Sequence, residues 1–172
     1  MAARAGNAGG PTGADAELAD AYRLVSDVLA GAVRETLAAP GPDPARFAVR
    51  RLTAVDRELP PDATPPGWSL AFLVLADWYD AARTALAGTD DRADRALGWV
   101  EQHLGKRYAA RARYTVAPLV DPADARETSH YVDALGQDFL ATMVWTVAGL
   151  VAEFPAEDPD EIWPRTRADA AR

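Results

Sequence analysis

A chain of 172 residues with 18 basic and 26 acidic side chains, a formal charge of −8 and no cysteine can bury about 70% of its unfolded surface and needs no metal or cross-link to hold a core. The missing cysteines exclude disulfides, zinc–thiolate sites, thiol nucleophiles and iron–sulfur clusters. The negative charge opposes a duplex whose phosphates need neutralising by Lys and Arg, so nucleic acid is not an expected partner.

Residues 1–14 carry Gly6, Gly9, Gly10 and Pro11 and lack the apolar run of a signal peptide, which predicts a flexible tail. A first helix is expected from about Asp15 to Leu37, because Leu18, Tyr22, Val25, Leu29, Val33 and Thr36 recur at helical spacing. Pro40-Gly41-Pro42 ends it. Asp43-Pro44 then supplies a cap and a first-turn proline for a shorter second helix, with Ala48, Leu52, Val55 and Leu59 on its buried side. Pro60, Pro61, Pro65 and Pro66 make a stiff, extended connection.

The third helix, about Ser69 to Ala87, has the widest apolar arc and is expected to lie centrally, with Leu75 in the core. The fourth, about Asp90 to Arg113, aligns Ala93, Leu97, Val100, Leu104 and Tyr108 on one face. Tyr114 to Ala117, before Pro118, is the one candidate strand and is too short to start a sheet. The fifth helix opens at Asp121-Pro122 and reaches about Phe154, carrying Phe139 in the core. Its uncharged run, Phe139 to Ala152, falls short of the roughly 20 residues that span a bilayer. No membrane association and a cytoplasmic location are therefore expected. Residues 155–172 form an acidic tail, Glu157, Asp158, Asp160 and Glu161, with Ile162 and Trp163 embedded in it.

The pattern predicts an all-α fold: residues 15–154 as a single domain, an antiparallel bundle of about five helices between flexible termini. Catalytic motifs are harder to find. Glu127 and His130 have the Glu-x-x-His spacing of di-iron bundles, but His103, the other histidine, follows Val100 by three positions, so the second motif is missing. No metal or other cofactor is expected. Ser129 and His130 are helix neighbours whose side chains diverge, and neither a nucleophile elbow nor a phosphate-cradling glycine loop occurs. Asp77 and Asp80, beside Trp78 and Tyr79, are a candidate carboxylate pair that helical geometry also explains as the wet side of the third helix. With Glu127 and His130 they would define a polar pocket. No catalytic residue can be assigned.

Lys106, Arg107, Arg111 and Arg113 form a basic patch with Tyr108 and Tyr114 interleaved, suited to an anion or an acidic partner segment. The ordinary explanation is cation placement at a helix C-terminus, with the acidic tail as an internal partner. The second half of the fifth helix is apolar around its whole circumference. Either the bundle wraps it, or its second face binds another chain. The stripe Ala134, Ala141 and Ala148, with Val144 and Trp145 beside it, predicts the latter, a homodimer. The functional expectation is an acidic accessory or regulatory module that binds a protein partner and has no catalytic activity. The alternative is a small-molecule-binding protein or enzyme with a pocket between helices, lined by Trp68, Phe72, Trp78, Trp99, Phe139 and Trp145.

Overall fold

The computed structural model describes residues 13–55, 67–86, 90–120 and 137–153. Within them lie six helices and no strand: α1 (Gly13–Ala38), α2 (Asp43–Val55), α3 (Gly67–Leu86), α4 (Asp90–Leu104), α5 (Lys106–Val120) and α6 (Gln137–Glu153). The fold is all-α. None of the described helices is long and apolar enough to cross a membrane. The acidic tail, most of the glycine-rich N-terminal segment and residues 121–136 of the expected fifth helix lie outside the described residues.

Helix α1 buries the expected stripe, Tyr22, Val25, Leu29, Val33 and Thr36. Thr36 satisfies its hydroxyl by donating to the Ala32 carbonyl at 2.7 Å. The Pro40-Gly41-Pro42 break lets α2 fold back on α1, and α2 begins at the predicted Asp43. Its buried side is Ala45, Ala48, Val49 and Leu52. Helix α3 buries Leu70, Ala71, Val74, Leu75, Trp78 and Tyr79 against α1, α2, α5 and α6.

The expected fourth helix is two helices. Gly105 adopts φ 99°, a left-handed conformation that side-chain-bearing residues rarely take. Its N–H donates to the carbonyls of Val100 (3.2 Å) and Glu101 (3.0 Å), closing α4. Its own carbonyl accepts from Tyr108 (3.0 Å) and Ala109 (3.2 Å), opening α5. One residue thus caps both helices. The resulting hairpin carries a small core of its own, Ala93, Leu97 and Val100 against Ala109, Ala112 and Val116. The candidate strand is helical, because α5 continues to Val120 with Pro118 in its last turn. Thr115 and Val116 are buried there.

The central element is α6 rather than α3. It packs against all five other helices. From Phe139 to Val151 every residue is buried, which is what a helix apolar all round requires. The main core gathers α1, α2 and α3 around it, with Ala96 of α4 entering from the other side.

Candidate functional site

The expected dimer face is not a surface. Ala141, Val144, Trp145 and Ala148 are each 0% exposed, enclosed by the chain's own helices. A second copy has nothing to contact there, and the physical ground for a homodimer through this helix is removed. Ala134 lies outside the described residues. The aromatic side chains proposed to line a pocket contribute to packing instead. Trp78, Phe139 and Trp145 are fully buried, Trp68 stacks on Phe72 at 5.7 Å, and Phe72 meets Phe139 at 6.3 Å.

The carboxylate pair is divided by its surroundings. Asp77 is half-buried and accepts a 2.9 Å hydrogen bond from the Tyr22 hydroxyl, which ties α3 to α1. Asp80 is exposed. Glu127 and His130 fall outside the described residues. Among the described residues no group of three His, Asp or Glu side chains is placed to hold a metal ion.

The basic patch is redistributed by the Gly105 break. Lys106 and Arg107 occupy the first turn of α5, not the last turn of a longer helix. Cations there oppose the helix dipole, so the ordinary explanation for them fails. Lys106, Arg107 and Arg113 are exposed. Arg111 turns inward and donates to Asp138 Oδ2 of α6 at 3.0 Å.

Asp138 is the point on which three helices converge. It sits in the first turn of α6, where a carboxylate suits the dipole. Besides Arg111 it faces Arg46 of α2, whose Nε lies 3.8 Å from Oδ1. That separation is an ion pair without a hydrogen bond. The Arg46 guanidinium is held by aromatic faces, its central carbon 5.7 Å from the ring centroids of both Tyr108 and Trp145. Those two rings meet edge to face at 4.9 Å. Beside them Arg46, Val49, Arg50 and Asp138 line a half-open cleft of about 180 Å³. Arg50 donates from Nε to the Arg46 carbonyl at 3.3 Å. The indole N–H of Trp145 is buried and has no acceptor among the described residues.

A second polar feature is internal. Tyr79 donates to the Met143 carbonyl at 3.2 Å and lies 3.4 Å from the Thr115 hydroxyl. Thr115 and Thr146 share a 2.8 Å hydrogen bond, and whichever of them accepts it keeps its own proton for a carbonyl of its helix, Ala112 for Thr115 or Thr142 for Thr146. Burial pushes the Tyr79 hydroxyl pKa well above its ordinary value, against a smaller downward pull from the two threonines. The network joins α3, α5 and α6 without access to solvent.

No family model matches the chain, and no curated protein or solved structure resembles it at a significant level. Of the residues around the cleft, the sequence pattern singles out only Arg111 as a candidate for anion contact. Arg46, Arg50 and Asp138 carry a faint signal. Two arginines one helical turn apart repel each other by a few tenths of a kcal/mol and call for a compensating acid, and Asp138 is the acid that opens an otherwise uncharged run.

Proposed function

We propose that this chain is a non-catalytic helical accessory module that binds an acidic segment of a partner protein through the outward face of α2. The observation that carries the reading is Phe47. It is 58% exposed on α2, with the Arg51 guanidinium 5.9 Å from its ring centroid and the exposed Arg50 about one turn away. Aromatic residues and arginine are the types that anchor protein interfaces. A face of one aromatic and two exposed arginines on a chain of net charge −8 favours a partner of opposite local charge, by steering the encounter and fixing its register. The buried groups support the same reading, since the Tyr79 hydroxyl and its threonine partners are shut away from any substrate.

The test is a photo-reactive amino acid placed at position 47 of the full chain in its native cells, with the exposed Glu101 of α4 as the control position. One discrete cross-linked protein from position 47, lost when Arg50 and Arg51 are both changed to Glu, is the expected result. Its linked peptide should be acidic. Cross-linking at 47 no more selective than at 101 would overturn the reading.

A further inference from the structure

We infer that the cleft between α2 and α6 binds an oxyanion, a carboxylate or phosphate group, between Arg46 and Arg50. The case begins with charge. Arg46, Arg50 and Arg111 gather near a single carboxylate, Asp138, and Arg111 already takes that carboxylate's 3.0 Å hydrogen bond. Arg46 stands 3.8 Å from it, and Arg50 makes no ion pair among the described residues. Two guanidinium groups on one wall therefore keep most of their N–H donors for something else. Their separation by one turn of α2 sets them side by side at the mouth of a concave space.

The wall of the cleft rests on a buried donor. The Trp145 indole N–H has no acceptor among the described residues, and the Arg46 guanidinium lies over that ring. Tyr108 and Trp145 fix Arg46 from two directions, so its planar fork is already oriented and loses little freedom on binding. The first turn of α6, which carries Asp138, contributes the positive end of a helix dipole to the same place. A planar or tetrahedral oxyanion that accepts from both Arg46 and Arg50 satisfies this arrangement. The apolar Val49 wall limits the site to a compact group.

The site shares Arg50 with the proposed partner face, but it is tested separately, because an isolated chain can be titrated with a simple anion. The full chain is titrated with inorganic phosphate and, separately, with acetate, each against sodium chloride at equal ionic strength. The arginine Nε–H and tryptophan indole N–H signals are followed by NMR. Saturable shifts at Arg46, Arg50 and Trp145 with phosphate or acetate, absent with chloride, are expected, and the stronger of the two anions identifies the chemistry. Arg50→Gln, on an exposed side chain, should weaken binding at least fivefold while leaving the circular dichroism unchanged, and Arg46→Gln at least tenfold. Shifts reproduced by chloride, no saturation with either anion, or unaltered binding by the folded Arg50→Gln variant would overturn the site. Failure here leaves the cross-linking result at position 47 untouched, and the reverse also holds.

Discussion

Gly149 of α6 lies so close to Ala96 of α4 that a Cβ there would fall 2.6 Å from the Ala96 carbonyl oxygen and 3.3 Å from a Val100 methyl. The nearest obstacle is backbone, which cannot swing aside as a side chain can. Gly149→Ala should therefore destabilise by about 1–3 kcal/mol through overpacking, although alanine is intrinsically better in a helix by about 1 kcal/mol. Urea denaturation decides it, and a more stable variant would mean that α4 and α6 are further apart than described.

Leu75 is fully buried on α3. Leu75→Ala should cost about 2–5 kcal/mol, from lost transfer energy and the cavity left behind. A loss below 1 kcal/mol in the same denaturation series would place α3 outside the core.

Tyr79 gives the stability a dependence on alkali. Its folded pKa is raised above the unfolded value of 10.0, so the folded state holds its proton where the unfolded chain releases it. The stabilisation is complete below pH 10 and is lost as pH rises through the folded value, by up to about 1.4 kcal/mol per pH unit. Tyr79→Phe should cost about 1 kcal/mol at neutral pH and flatten the decline above pH 10. Equal slopes for the two proteins there would contradict the burial of this hydroxyl.

Ala148→Glu separates an enclosed α6 from one shared with a second copy. Ala148 is fully buried within its own chain, so an unpaired carboxylate there should prevent folding or leave a protein whose melting temperature is severely depressed. A well-folded variant whose sedimentation alone changed would restore the dimer contact.

The helices were legible wherever local chemistry punctuates the chain. Asp43-Pro44 starts α2 where expected, and the stripe from Tyr22 to Thr36 defines the buried side of α1. The break at Gly105 was not, because Val100, Leu104 and Tyr108 keep helical spacing across it and Gly98, in the same stretch, stays helical. Nor does an apolar circumference on α6 say whose side chains will cover it. Periodicity reports that Ala141 and Ala148 are hidden, not by which chain. The cleft was invisible for a different reason. Arg46, Arg111 and Asp138 come from α2, α5 and α6, and no short-range spacing encodes their convergence.

The wrapping of α6 also bears on how the chain is made. Ribosomes deliver α6 after every other described helix, yet each of those helices closes on it. Until residues 137–153 emerge, the grooves formed by Leu29, Val49, Val74 and Ala96 have no occupant. The nascent chain then carries uncovered apolar surface through most of its synthesis, a state prone to aggregation. Contacts between α1 and α6 also span most of the chain, which slows folding relative to a bundle of sequential hairpins. The last described helix to appear acts as the keystone, and the core stays incomplete until it emerges.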